Sequence, residues 1–175
     1  EHRFLPGTEI EIINPQVTLG EIRHALFDFD GTISLLREGW QRIMGPVCVK
    51  MIAGNTEPTD DIREAVAKMI DETTGIQTIY QMERLVEMVR AWGRVPEADI
   101  RTAEQYKQIY LDQLMVPVRE RIAQIDRGEK TVDDFRVAGV TRFLELLKER
   151  GVAMYVFSGT DRDDVRNEAG VVQVA

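Results

Sequence analysis

The chain has 175 residues, 43% of them hydrophobic and 30% charged, which is typical of a globular protein with one or two small domains. A formal net charge of −8 without a basic stripe argues against nucleic acid, and against an anionic membrane surface, as a partner. The single cysteine, Cys48, excludes an internal disulfide and fits a reducing compartment. Without a signal-peptide pattern or a bilayer-length apolar run we expect a cytoplasmic protein; nothing indicates its oligomeric state.

The first 23 residues carry no recognisable chemistry. Residues 9–13 resemble a short strand, and Asn14-Pro15 is a turn signal, which predicts an edge strand or a hairpin here. His24 opens the next element, and a lone histidine at the start of a strand is usually structural. No His/Cys cluster exists in the sequence, so a zinc site is not expected.

A pair of aspartates follows the first apolar run, residues 24–27, which we predict to be a strand buried on both faces. Asp28 and Asp30 alternate with Phe29, so both carboxylates should point to one side and Phe29 to the other. Gly31 then permits a sharp turn. Two carboxylates at the end of a buried strand need a cation, and Mg²⁺ suits such oxygen ligands. The pattern therefore predicts a metal-assisted site, since ligands of open α/β sheets bind beyond the carboxyl ends of strands.

Two other interpretations of Asp-x-Asp-Gly are a calcium loop and a plain turn. A calcium loop needs a third oxygen ligand before the glycine and a later glutamate, and this spacing fails that test. A plain Asp-Gly turn remains the alternative without chemistry.

Residues 35–135 show helical periodicity throughout and no strand signal, which predicts four or five helices. Arg37 follows the aspartate turn closely enough to contact a substrate, although a solvated arginine is the simpler interpretation. A polar patch could face the site or could simply begin a helix: Thr74, Gly75, Gln77, Thr78 and Gln81.

A second strand is predicted at residues 152–157, after an amphipathic helix over 140–150 that ends at Gly151. It closes with Ser158-Gly159-Thr160-Asp161, and another helix begins near Asp163. A hydroxyl and free backbone N–H groups before a helix N-terminus form an anion site. A simple serine cap is the alternative.

Two of these segments, Phe27-Asp28-Phe29-Asp30-Gly31-Thr32 and the strand ending in Ser158-Gly159, resemble the first two motifs of the haloacid dehalogenase-like (HAD) superfamily. The likeness is to its phosphoglycolate phosphatase-like branch. It implies an α/β fold, with a Rossmann-like parallel core formed by residues 1–34 and 136–175 and an α-helical cap formed by 35–135.

The resemblance also implies roles for single residues. Asp28 would be the nucleophile and Asp30 the general acid/base; both would hold Mg²⁺. Ser158, Gly159 and Phe29 would bind the phosphoryl oxygens. Asp30 argues against the dehalogenase reaction, because true dehalogenases of the superfamily lack it. The family's third-motif lysine and fourth-motif acidic pair are not found, so the sequence resembles the front part of the family fold, and we expect further chain after Ala175.

The function expected from this resemblance is Mg²⁺-dependent hydrolysis of a small phosphorylated metabolite, such as a sugar phosphate or a phosphoglycolate-like acid. A phosphomutase would use the same motifs. A phosphonate hydrolase would need a Schiff-base lysine from the cap, where Lys50 and Lys68 are found. A non-catalytic binding domain is the remaining alternative.

Overall fold

The computed structural model describes residues 3–16 and 20–174. Within them, two short strands and six α-helices follow one another in chain order: β1 (His24–Phe27), α1 (Gln41–Ala53), α2 (Asp60–Thr73), α3 (Thr78–Trp92), α4 (Ala103–Asp126), α5 (Val140–Glu149), β2 (Ala153–Val156) and α6 (Arg162–Val171). Short 3₁₀ helices occupy Glu97–Asp99 and Val132–Phe135. The protein is thus a mixed α/β fold that is mostly helical. None of the helices described is long and apolar enough to cross a bilayer.

The two strands form a parallel sheet in which His24 pairs with Ala153 and Phe27 with Val156. The ladder is extended by the Phe157 N–H, which donates to the Phe27 carbonyl at 2.7 Å. Parallel pairing brings the carboxyl ends of both strands to one edge. The residues that follow each strand therefore lie side by side.

The prediction that both strands are buried is wrong for the described residues. Every residue of β2 is exposed, and Leu26 in β1 is 68% exposed. Burial of a strand on both faces requires helices packed on each side. Here α5 packs along β2 and sets Phe143 edge-on to Phe27, while much of the sheet stays uncovered.

The largest apolar core lies inside the helical block, among α1, α2, α3 and α4. Its side chains recur at helical spacing on each helix, as the sequence periodicity predicted. Helix α1 continues through Pro46, which lies in its second turn. Helix α4 begins with a capping box between Thr102 and Gln105.

A smaller apolar cluster lies beneath the aspartate turn and includes Phe29, Ile33, Leu36, Val140 and Val172. Ile122 on α4 packs against both clusters and so joins the helical block to the strand region. Phe29 is 1% exposed and enters this cluster, which turns its neighbours Asp28 and Asp30 toward the opposite side. Near the N-terminus the suggested strand at residues 9–13 is reduced to one antiparallel bridge between Phe4 and Glu11.

Candidate active site

The aspartate turn is built around one carbonyl group. The Phe29 carbonyl accepts hydrogen bonds from the N–H groups of Thr32, Ile33 and Ser34 at 3.3, 2.9 and 2.9 Å. Gly31 takes a φ of 79°, a left-handed conformation that favours glycine. The turn therefore fixes the two aspartates directly beyond the end of β1.

The loop after β2 lies against this turn. The Thr160 hydroxyl donates a 2.7 Å hydrogen bond to Asp30 Oδ2, and the Thr160 N–H donates to the Ser158 hydroxyl oxygen at 3.0 Å. Among the described residues no partner of the Gly159 N–H is found, so this donor is available to a ligand. Two segments 130 residues apart thus share one site.

A cavity of about 420 Å³ opens between the two loops and the helical block. Its strand side carries both aspartates and the Ser158–Thr160 loop, and its helical side comes from the start of α1, the α2–α3 loop and α4. The lining residues are Leu26, Phe27, Asp28, Asp30, Arg37, Trp40, Thr74, Gly75, Ile76, Thr78, Gln81, Tyr110, Leu114, Phe157, Ser158, Gly159 and Thr160.

The α2–α3 loop touches the β2 loop at Gly159. A Cβ added there would lie 2.6 Å from the Ile76 carbonyl oxygen, closer than real Cβ contacts allow. The Thr78 N–H also reaches the Gly159 carbonyl, at 3.5 Å. Glycine at this position therefore lets the helical block close over the cavity.

Arg37 is 5% exposed and lies at the centre of an ion-pair network. Its Nε and Nη2 donate to Glu168 Oε1 at 2.8 and 2.6 Å, and Nη2 also donates to Asp164 Oδ2 at 3.0 Å. Nη1 points to the Thr160 hydroxyl at 3.4 Å. Its charge is consequently neutralised by two carboxylates of α6, although the side chain lines the cavity.

Burial and charge act in opposite directions on this network. Burial alone lowers the pKa of Arg37, but the hydrogen bonds to Glu168 and Asp164 and the negative charges of Glu168 and Asp30 raise it overall. Burial raises the pKa of Glu168, and the ion pair with Arg37 offsets part of that rise.

The pKa of Asp30 is affected by the same burial and the same charges. Burial raises its pKa, and the hydrogen bond from Thr160 and the charge of Arg37 offset only part of the effect. Its Oδ1 atom is buried and has no hydrogen-bond partner among the described residues. An oxygen in that state is suited to a proton or to a cation.

The acidic groups can be tested for a fit to Mg²⁺. The described residues contain no cluster of three or more potential metal ligands. They do offer the Asp28 carboxylate on the cavity wall and, two residues on, the Asp30 backbone carbonyl, to which no described residue donates a hydrogen bond. Because Mg²⁺ is commonly held by one or two carboxylates together with water and substrate phosphate, this pair fits such an ion.

Other predicted site residues have distinct positions. The Phe29 side chain is in the core, and its N–H donates to Asp28 Oδ1 at 2.8 Å. Of the polar patch, Thr74, Gly75, Thr78 and Gln81 line the cavity. His24 lies outside the cavity and contacts Tyr155, with Nδ1 3.3 Å from the phenol oxygen.

Several participants had no role assigned from the sequence. The sequence marked Thr160 only as part of the Ser-Gly-Thr-Asp run, and nothing in it pointed to Glu168. The Lys107 ammonium of α4 binds Asp161 at 2.7 Å and ties the helical block to the β2 loop. No spacing rule connects such distant residues, so only the fold reveals the contacts.

Comparisons of the chain with family models, with curated proteins and with solved structures gave no match.

Proposed function

We propose that this protein is a HAD-like, Mg²⁺-dependent phosphohydrolase that acts on a small phosphorylated metabolite. The observation that supports it is the meeting of Asp28, Asp30 and the Ser158–Thr160 loop at one cavity beyond the ends of two parallel strands. The assignment of residues 1–34 and 136–175 to a core, of 35–135 to a cap and of the chain to the cytoplasm belongs to this proposal.

The proposed reaction begins with in-line attack by Asp28 on the phosphorus atom. Its Oδ1 accepts the Phe29 N–H, which leaves Oδ2 as the attacking atom. As the new oxygen–phosphorus bond forms, the ester bond to the leaving group breaks and Asp30 protonates the departing oxygen. Burial raises the pKa of Asp30, which is the direction that suits a general acid.

The second step releases phosphate. Asp30, now a carboxylate, takes a proton from water, and the resulting hydroxide attacks the aspartyl-phosphate. Cleavage of the acyl phosphate restores Asp28. The Ser158 hydroxyl and the Gly159 N–H would bind the phosphoryl oxygens, and bound Mg²⁺ would supply positive charge to offset the phosphate and both carboxylates.

The cap lysines bear on the phosphonate-hydrolase alternative. Lys50 is exposed and lines a separate cavity beside Arg94 and Arg101, and Lys68 is exposed and pairs with Glu72. None of the four lysines in residues 35–135, which are Lys50, Lys68, Lys107 and Lys130, lines the cavity that holds the aspartates. A Schiff-base role would need one of them there, so we favour ester hydrolysis.

The test is hydrolysis of p-nitrophenyl phosphate with Mg²⁺ and after its removal by chelation. We expect metal-dependent release of phosphate that disappears in Asp28→Asn and persists in Asp163→Asn, an exposed aspartate of α6 outside the cavity. Trapping of a phosphorylated peptide containing residue 28 would identify the intermediate. If the unmodified protein and Asp28→Asn hydrolyse the ester at the same rate, the proposal fails and a binding role is favoured. A phosphoryl group that is returned to the substrate, and not released as phosphate, would indicate a mutase.

A further inference from the structure

The side-chain amide of Gln81 is held in one orientation on the cavity wall. Gln81 is 3% exposed, and its Nε2 donates to the Thr73 carbonyl at 3.2 Å and to the Thr73 hydroxyl oxygen at 3.1 Å. A carbonyl can only accept, so the atom facing it must be the amide nitrogen. The Thr73 hydroxyl donates its own proton to the Met69 carbonyl, at 2.6 Å, so toward Gln81 it must also act as an acceptor.

This arrangement leaves Gln81 Oε1 as an acceptor. No described residue donates a hydrogen bond to it, and Gln81 lines the cavity that contains the aspartates. Asp30 Oδ1 is a buried atom without a hydrogen-bond partner, whereas Gln81 Oε1 is not buried in this way. A ligand in the cavity can therefore reach Oε1. A fixed acceptor on the wall of a binding cavity selects a ligand that carries a hydroxyl or another N–H or O–H donor.

Part of the surrounding wall is apolar. Trp40, Ile76, Tyr110 and Leu114 all face the same cavity from the helical side. An aromatic ring such as Trp40 offers a flat surface against which the C–H face of a sugar or polyol can pack. The wall therefore combines apolar contact with a hydrogen-bond acceptor.

Positive charge is scarce in this cavity. Among the residues that the structure describes, Arg37 is the one cation in its lining, and two carboxylates already neutralise it. A ligand with a second negative group, beyond its phosphate, would find no free cationic side chain among the described residues, and the proposed Mg²⁺ would already be shared by the phosphate and the aspartates. Like charges in such a site are unfavourable.

We infer that the leaving group of the substrate is a neutral, polyhydroxylated alcohol of the sugar or polyol class, and that Gln81 accepts a hydrogen bond from one of its hydroxyls. This inference rests on the proposed function. The sequence suggested two types of substrate, a sugar phosphate and a phosphoglycolate-like acid. The inference favours the sugar phosphate over an ester that carries a carboxylate, such as phosphoglycolate.

Binding can be measured without turnover, through the fluorescence of Trp40. The second tryptophan, Trp92, packs against the helical core beside Arg94 and can be replaced by phenylalanine. In an Asp28→Asn/Trp92→Phe protein with Mg²⁺, we would titrate glucose 6-phosphate, glucose 1-phosphate, phosphoglycolate and inorganic phosphate. We expect at least one hexose phosphate to bind about tenfold more tightly than phosphoglycolate.

The variant Gln81→Met removes the acceptor with little change in size. It should weaken hexose phosphate binding about tenfold and leave phosphoglycolate and inorganic phosphate unchanged. Gln77→Met, an exposed position outside the cavity, is the matched control and should change none of them. Because the result is a ratio of affinities between ligands, a general loss of stability does not produce the same result. In Gln81→Met the Thr73 carbonyl keeps one hydrogen bond, from the Ile76 N–H.

Tighter binding of phosphoglycolate, equal weakening of all ligands by Gln81→Met, or no binding of either hexose phosphate would overturn the inference. Inorganic phosphate and the p-nitrophenyl phosphate assay report on the proposed function separately. If both are positive while the hexose phosphates fail, the phosphatase assignment stands and the substrate class is wrong; if both are negative, the proposed function has failed as well.

Discussion

A single hydroxyl links the general-acid candidate to the ion-pair network. Thr160 donates to Asp30 Oδ2 and lies 3.4 Å from Arg37 Nη1, so it stands between the two charged groups. A hydrogen bond to a carboxylate fixes its orientation as well as its energy. Thr160 is thus a positioning residue for Asp30 within the proposed mechanism.

The first prediction concerns this hydroxyl. Thr160→Val keeps the shape of the side chain and removes the donor, and we expect kcat for phosphate esters to fall about ten- to hundredfold with KM little changed, since hydrogen bonds to charged groups contribute about 1.5–3 kcal/mol. Thr160→Ser retains the hydroxyl and should recover most of the rate. Steady-state kinetics of both variants provide the measurement; equal losses in the two would contradict the positioning role.

Arg37 gives a prediction about stability. Arg37→Met leaves Glu168, Asp164 and Asp30 without their shared cation, and removal of one partner of a buried ion pair costs about 3–5 kcal/mol. Urea denaturation should show this loss near neutral pH. Arg142→Met is the control, because that arginine is exposed, pairs with the exposed Glu145 and Glu149, and should change the free energy of unfolding by less than about 1 kcal/mol.

The same variant should respond to pH in a defined direction. Burial raises the pKa of Glu168 above its ordinary value of 4.5, and loss of Arg37 removes the main opposing effect. The folded state then binds a proton that the unfolded state has already released, so stability falls as the pH rises from 4.5 through the folded-state pKa. Urea midpoints at pH 5 and pH 8 measure this, and a smaller deficit at pH 8 would contradict it.

At the scale of elements, the helical block meets the segments that follow β1 and β2 through few contacts. The Ile76 carbonyl approaches Gly159, Lys107 binds Asp161, and Arg121 donates to the Leu36 carbonyl at 2.5 Å. Of these, only the glycine contact lies on the cavity wall. Its geometry therefore determines how closely the helical side covers the aspartates.

Gly159→Ala tests that contact. The new methyl group would press on a backbone oxygen, so we expect the free energy of unfolding to fall by about 1–3 kcal/mol and kcat/KM for phosphate esters to fall with it. Gly170→Ala, which has no atom within 4 Å of the added carbon, should instead be neutral or stabilise α6 by up to about 1 kcal/mol. Thermal and urea unfolding distinguish them; a neutral Gly159→Ala would show that the close approach is not required.

At the scale of the whole molecule, the sheet is the exposed part. Its two strands pair only with each other among the described residues, and Leu26, Tyr155, Val156 and Phe157 are all about half exposed or more. Exposed apolar strands with open edges favour association between chains. The helical block, by contrast, encloses the largest apolar core among the described residues.

We therefore expect this 175-residue chain to self-associate as its concentration rises. Tyr155→Lys places a charge on the exposed sheet and should reduce light scattering and the concentration dependence of sedimentation. Val116→Lys, at a comparably exposed apolar position on α4, should not change either one. Equal effects of the two substitutions would mean that general surface charge, and not the sheet, controls association.

The sequence by itself determined the local features of this protein. Alternation placed Phe29 in the core with Asp28 and Asp30 facing away from it, and helical periodicity marked the apolar stripes of α1 to α4. These features depend on neighbours within a few residues, so a linear pattern contains them. The catalytic roles and the HAD-like fold remain predictions from the resemblance.

Only the tertiary structure decided which distant groups meet. Arg37 was considered as a substrate contact or a solvated charge, and it is instead buried against Glu168, 131 residues away. The strands were expected to be buried because their residues are apolar, but burial depends on what packs against a strand and not on the strand itself. The position of Gln81, with its amide nitrogen held by Thr73 and its oxygen left for a ligand, likewise follows from how two helices pack.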